Sequence, residues 1–196
     1  MAKCLVSFGA NIGNAAATVE EAVQALRDAL DRPQSVSCSR LFKTPPVGGP
    51  SGQPPFINAV AAFETQLSEW QVWKIVRSIE TLFGRQRNVR WEARKLDLDV
   101  LLYDQHRIWT PHLKIPHPRM CMRRFILEPA CDVAADWVDP VSQLTLKQLA
   151  ERLQASPANL CLIAEPKMQA EQISAEVARL SRADWIRGES TYADAL

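Results

Sequence analysis

Apolar residues in this chain recur at two spacings, and the switch between them marks out the elements. Residues 3–8 form a short apolar run ending at Gly9, the pattern of a buried strand. Val19, Ala22, Val23, Leu26 and Leu30 then follow helical spacing, and Thr18 with Glu21 reads as a capping box that opens the helix. Pro33 bounds it. Residues 36–42 read as a strand. Residues 44–55 hold five prolines and three glycines and read as loop. Residues 56–63 are strand-like again. Ser68 with Gln71 opens a second helix carrying Trp70, Trp73, Ile75, Val76, Ile79 and Leu82, which closes at Gly84. A basic, irregular segment over residues 85–95 leads into a strand over residues 96–103.

The resulting order, βαββαβ, is the split unit of the ferredoxin-like α+β fold. It predicts an antiparallel sheet with helices packed on one face. Beyond it, residues 107–113 are expected to pair at the sheet edge, and Pro116 and Pro118 to fix a turn around His117. Residues 122–127 read as a short helix stopped by Pro129. Thr145 with Gln148 opens a further helix to about residue 153. After Pro157 the composition shifts: an apolar run covers residues 160–164, and residues 169–180 place Ile173, Val177 and Leu180 on one helical side. The predicted organisation is a ferredoxin-like domain over residues 1–156 and a C-terminal extension over residues 157–196.

The 196 residues suit one domain with an appendage. Hydrophobic residues at 47% and charged residues at 23% exclude a wholly disordered chain. Lys and Arg number 23 against 22 Asp and Glu, so no bulk charge favours nucleic acid or an acidic membrane. No run approaches the ~18 apolar residues of a membrane span. The first residues lack the long apolar region of a secretory signal. Five cysteines, with no CxxC pair, fit reduced thiols and a cytoplasmic location. A monomer or weak homodimer is expected.

Against this background, Leu96-Asp97-Leu98-Asp99-Val100 stands out. Strand side chains alternate, so Asp97 and Asp99 share one side, about 7 Å apart at Cα, and the apolar residues take the other. Two carboxylates on a mostly apolar strand repel each other and lose hydration, and a divalent cation relieves both costs. Oxygen ligands beside substrate phosphates suit Mg²⁺. Alone, the alternation fits a solvated edge strand equally well. The preceding twelve residues, Gly84 to Lys95, hold five cations and one carboxylate, and guanidinium forks suit phosphate oxygens. Together the two features favour a phosphate-and-metal site.

Phe56 and Asn58 follow the proline loop; one could stack on a flat polar heterocycle while the other reads its edge, or Asn58 could simply cap a turn. His117, between two prolines, could contact phosphate. His106, His112 and His117 show no metal-ligand spacing. Gly9-Ala10-Asn11-Ile12-Gly13 is neither a Walker loop nor a dinucleotide fingerprint.

Four segments, in order and spacing, resemble the 6-hydroxymethyl-7,8-dihydropterin pyrophosphokinase family. They are Phe8-Gly9-Ala10-Asn11-Ile12-Gly13; Lys43-Thr44-Pro45-Pro46-Val47-Gly48 with Gln53-Pro54-Pro55-Phe56-Ile57-Asn58; Gly84-Arg85-Gln86-Arg87 with Arg90-Trp91-Glu92-Ala93-Arg94-Lys95-Leu96-Asp97-Leu98-Asp99; and Ile115-Pro116-His117-Pro118 with Arg123-Arg124-Phe125. The resemblance covers about residues 3–140. It implies a ferredoxin-like core and transfer of pyrophosphate from ATP to the pterin hydroxymethyl oxygen, with release of AMP, in folate biosynthesis. It further implies that Asp97 and Asp99 hold two Mg²⁺ ions and that Arg85, Arg87 and Arg94 clamp phosphate. Arg90 and Trp91 would lie on a loop closing over ATP. Glu80, Val100, His112, Lys114, His117 and Arg123 would complete the ATP site. Thr44, Pro45, Val47 and Asn58 would cradle the pterin edge, and Phe56 and Phe125 would sandwich its ring. Trp91-Glu92-Ala93-Arg94 stands where the family usually has Trp-Gly-Pro-Arg. A diverged, non-catalytic relative that binds ATP or a pterin in a regulatory role is the alternative. An RNA-binding ferredoxin-like domain is a third reading, and the chain lacks the paired aromatic sheet motifs and basicity that one needs.

Overall fold

Strand β1 (Ala2–Ala10) runs through the centre of the sheet. Its partners are β4 (Phe56–Thr65) and β5 (Asp97–Tyr103), both antiparallel to it. Two short strands, β2 (Ser37–Cys38) and β3 (Phe42–Thr44), pair with the far side of β4. The order β2-β4-β1-β5 is the ferredoxin-like arrangement, with β5 at one edge. The computed structural model describes residues 1–47, 52–84 and 95–155. Chain contacts separate Met1–Leu153 from Gln154–Leu196, and of the second unit only residues 154–155 are described.

Helices α1 (Ala15–Ala29) and α2 (Glu69–Leu82) cover one face of the sheet. There Val19, Ala22, Leu26, Val72, Val76 and Ile79 meet Cys4, Val6, Phe8, Ala59, Ala61, Phe63, Leu98 and Val100. Burying each such aliphatic or aromatic side chain contributes roughly 2 kcal/mol before chain entropy is charged against it. The opposite face is covered too, which the sequence reading did not anticipate. Helices α3 (Arg124–Ala134) and α4 (Leu146–Ala155) bring Ile126, Leu127, Ala130, Leu146 and Leu149 onto Leu5, Val60, Ala62, Leu101 and Leu102. The site lies further along the same face, at the end of the sheet that holds Gly9, Asn58 and Asp97.

Local differences from the sequence reading have identifiable causes. Helix α1 starts earlier than expected because Asn14, not Thr18, is its cap: the Asn14 side chain accepts from the Ala17 amide, and the Thr18 hydroxyl donates back to the Asn14 carbonyl. The strand expected over residues 36–42 is split, because the Ser39 hydroxyl takes the Val60 amide in place of a backbone partner. Residues 107–113 do not join the main sheet. Instead β6 (Ile108–Trp109) pairs with β7 (Lys114–Ile115) in a separate hairpin. Pro129 does not stop α3 but lies buried inside it; the apolar contacts of Ile126, Leu127 and Ala130 outweigh the hydrogen bond its missing N–H forfeits. The capping boxes at Ser68–Gln71 and Thr145–Gln148 form as expected.

Candidate active site

Alternation along three neighbouring strands assembles the site. Leu96 just before β5, and Leu98 and Val100 within it, are buried in the layer beneath α1 and α2, so Asp97 and Asp99 face the other way. Gly9 of β1 lies opposite Asp97 on one side and Asn58 of β4 on the other. Phe42 of β3 pairs with Asn58, and Thr44 pairs with Phe56. Thr44, Phe56, Asn58, Gly9, Asp97 and Asp99 therefore share one face of the sheet, the one that also carries α3.

Asn58 is 6% exposed and donates to the Thr44 hydroxyl at 2.7 Å. Gly9 keeps the row open: a Cβ there would stand 3.2 Å from the Asn58 Oδ1. Asn11, 3% exposed, donates to the Gln53 side chain and the Pro54 carbonyl, tying the end of β1 to the proline loop. Phe125 in the first turn of α3 packs partly on the second core, with the Arg123 guanidinium 5.5 Å from its ring centre.

Beside the β5 edge lies a cleft of about 490 Å³. Helix α2 supplies Trp73, Val76 and Arg77; β5 supplies Leu98, Asp99 and Val100. The β6–β7 hairpin adds Pro111, His112, Leu113 and Lys114, and the following turn adds His117, Pro118, Arg119 and Arg123. Among the described lining residues, four cationic side chains and one carboxylate face an apolar wall that includes Trp73, Val76 and Leu113. That lining suits a ligand with a flat apolar part and a polyanionic tail.

His117 stands where the cleft meets the acidic pair. Its Nε2 is 3.7 Å from an Asp99 carboxylate oxygen, and its Nδ1 accepts from the Arg119 amide at 3.2 Å. The proton of the neutral ring therefore sits on Nε2, facing Asp99. Burial, and then the charge of Arg123, push this imidazole down from its usual 6.5 to about 4. It is neutral at pH 7, so its contact with Asp99 is not a salt bridge.

Residues 5–135 match the family model of 7,8-dihydro-6-hydroxymethylpterin-pyrophosphokinase. The chain belongs to this family. A 2-amino-4-hydroxy-6-hydroxymethyldihydropteridine pyrophosphokinase of Pseudomonas aeruginosa is 40% identical over 134 residues, covering 67% of this chain and 80% of its own. The Haemophilus influenzae enzyme of the same name is 36% identical over 154 residues, 77% of this chain and 95% of its own. Among solved structures, the Plasmodium falciparum HPPK-DHPS protein with pteroate superposes with a TM-score of 0.60 at 14% identity, over 77% of this chain. This chain spans 42% of that protein, and the likeness speaks to the fold. The pyrophosphokinase transfers pyrophosphate from ATP to 6-hydroxymethyl-7,8-dihydropterin, giving AMP and the pterin diphosphate, in folate biosynthesis. Nothing in these matches favours a non-catalytic relative.

Of the residues singled out in the sequence of this pyrophosphokinase, Asp99, Val100, His112, Lys114, His117 and Arg123 line the cleft. Asp97, Thr44, Phe56 and Asn58 occupy the adjoining sheet face. Pro45 and Val47 are exposed beyond β3. Glu80 is 1% exposed, at the open edge of β5, where its carboxylate accepts from the Leu98 amide. Arg85, Arg87, Arg90, Trp91 and Arg94, like the extension over residues 157–196, lie outside the described residues. Sequence reasoning missed Trp73, Arg77 and Arg119 as cleft residues. Trp73 and Arg77 are four apart on one helical face, which is a local signal, although apolar periodicity alone puts Trp73 in the buried stripe. Arg119 carries no local signal. Among the described residues no helix is long and apolar enough to cross a membrane.

The displaced His117 titration gives a pH prediction. Between about pH 4 and 6.5 the unfolded chain binds a proton at this position that the folded chain refuses, so the contribution of His117 to stability is constant above that window and is lost as pH drops through it. At pH 5 the loss is roughly 2 kcal/mol. Urea unfolding of wild type and His117→Gln at pH 7.5 and pH 5 measures it; the variant should lose most of the difference.

Proposed function

We propose that Asp97 and Asp99 hold the two Mg²⁺ ions that the transfer needs, with ATP in the β5-edge cleft and the pterin on the sheet face beside it. The donor chemistry fits. Two carboxylates project from one strand face at the mouth of a cation-lined cleft, and substrate phosphates would complete an all-oxygen set. Among the described residues no three His, Cys, Asp or Glu side chains stand together, so these side chains leave coordination positions for substrate oxygens. Bound there, Mg²⁺ supplies charge neutralisation for the phosphate chain.

The chain's own groups do the rest. Trp73 and the apolar wall receive the flat nucleobase, while Lys114, Arg119 and Arg123 receive phosphate oxygens. Asn58, held by Thr44, reads the pterin edge, and Phe56 and Phe125 enclose its ring. The hydroxymethyl oxygen then approaches the β-phosphorus in line, and the acceleration comes mainly from alignment and electrostatic stabilisation. Arg85, Arg87 and Arg94 are assigned to the phosphates, and Arg90 and Trp91 to the closing loop, on the family resemblance. We place the whole reaction in residues 1–156.

The observation that carries this reading is the shared face of Asp97, Asp99, Gly9 and Asn58 next to the cationic cleft. Chelation tests it. With excess EDTA, AMP release from ATP and the hydroxymethyl pterin should fall to background and return on adding Mg²⁺. Turnover that persists under chelation would remove the metal from the reading.

A further inference from the structure

Strand β5 is the edge of the sheet, and among the described residues β1 alone pairs with it in the ladder. An edge strand turns alternate amides outward, and unsupported ones fray. In this protein the outward amide at Leu98, the residue between Asp97 and Asp99, is not left to another strand. It donates to Glu80 Oε1 of α2 at 3.0 Å. The other carboxylate oxygen, Oε2, accepts from Arg77 Nη1, and Arg77 lines the cleft.

Glu80 itself is 1% exposed, and it is neither on the acidic pair's face nor among the cleft-lining residues. A carboxylate taken out of water at this depth is costly unless each oxygen is engaged. An apolar residue at the same turn of α2 would continue the stripe of Val72, Val76 and Ile79. The charge therefore needs a reason that packing does not provide. The bond it makes supplies one: it clamps the backbone midway between the two aspartates.

We propose that Glu80 is a positioning residue for the acidic pair. By fixing the Leu98 amide it sets the separation and aim of Asp97 and Asp99 toward the metal ions, and by pairing with Arg77 it holds a cation on the cleft wall. The proposal rests on the reading that the two aspartates are the metal ligands. It differs from direct contact with ATP, because Glu80 is buried at the strand edge and does not line the cleft.

The test uses Mn²⁺ as a spectroscopic probe, its binding followed by electron paramagnetic resonance in the presence of a non-hydrolysable ATP analogue. Three variants are compared with wild type by circular dichroism, Mn²⁺ affinity and pterin affinity. Glu80→Ala removes the clamp and should weaken Mn²⁺ about 10- to 100-fold, the range for groups that orient metal ligands. Glu80→Gln keeps an oxygen acceptor for the Leu98 amide at nearly the same volume. It should fold and recover most of that loss, leaving Mn²⁺ within about threefold of wild type. Pterin affinity should be unchanged in both, since Asn58 and Phe56 stand two strands away. If Glu80→Ala folds and binds Mn²⁺ like wild type, the positioning role is overturned. Should Glu80→Ala not fold, Leu98 replaced by N-methyl-leucine through semisynthesis removes the same hydrogen bond from the other side, and wild-type Mn²⁺ binding there would overturn it equally. Asp97→Asn separates the two levels. Unchanged Mn²⁺ binding in that variant defeats the acidic-pair reading, whereas loss there with no change in the Glu80 variants defeats the clamp alone.

Discussion

Replacing Asp97 by alanine should lower turnover by about 10³-fold or more while leaving the fold in place. The expectation of an intact fold follows from where the residue sits. Asp97 is partly exposed, on the face of β5 opposite the core, and contributes nothing to the layer formed by Leu96, Leu98 and Val100. Its backbone keeps its pairing with Gly9 whatever the side chain. The melting temperature should therefore move by only a few degrees, the scale of a surface change.

The loss of turnover has a different origin. Transfer of pyrophosphate concentrates negative charge on oxygens between the nucleotide and the pterin. The described cleft offers cations on its walls, and in the proposed reading Asp97 and Asp99 bring metal charge to the phosphates. Asp97→Asn keeps the shape and removes the charge, so it should fall nearly as far as alanine. Following AMP release alongside circular dichroism decides the matter. Wild-type turnover in a folded Asp97→Ala protein would end the metal assignment.

The second large effect is expected at Asn58. An alanine there should raise KM for the pterin by about 10- to 100-fold, the cost of leaving one or two hydrogen-bonding groups of a bound heterocycle unmet. KM for ATP should stay close to wild type. The amide has two N–H donors and a carbonyl acceptor, and one donor is committed to the Thr44 hydroxyl at 2.7 Å. That bond fixes which way the amide points, and Gly9 opposite leaves room for it. The site is 6% exposed, so water cannot readily replace the missing group. Steady-state kinetics with each substrate varied in turn gives the split. Equal rises in both KM values would show that Asn58 supports the whole site rather than reading the pterin.

Much of this was legible because it is local. A capping box needs only four consecutive residues, and Ser68–Gln71 and Thr145–Gln148 form as read. Thr18–Glu21 has the same pattern but loses to Asn14, whose side chain reaches the Ala17 amide first. Pro129 was read by its local rule, and the rule yields where α3 packs on β4. Asp97 and Asp99 were found because alternation is a property of any extended backbone. Trp73 and Arg77 share a helical face that the sequence shows, but only the docking of the β6–β7 hairpin and the turn after it beside α2 makes that face, with Arg119, the wall of a cleft.

The sequence by itself determined the βαββαβ order, the common side of Asp97 and Asp99 and the family to which the motifs belong. Tertiary structure alone decided that α3 and α4 cover the second face of the sheet, that Gly9 aligns Asn58 with Asp97, and that a buried Glu80 grips the strand between the two aspartates. The reason is one of range. Side-chain direction along a strand follows from the pleat of a few peptide units, whereas a cleft forms only where separate elements dock, and docking is set by packing across the whole core.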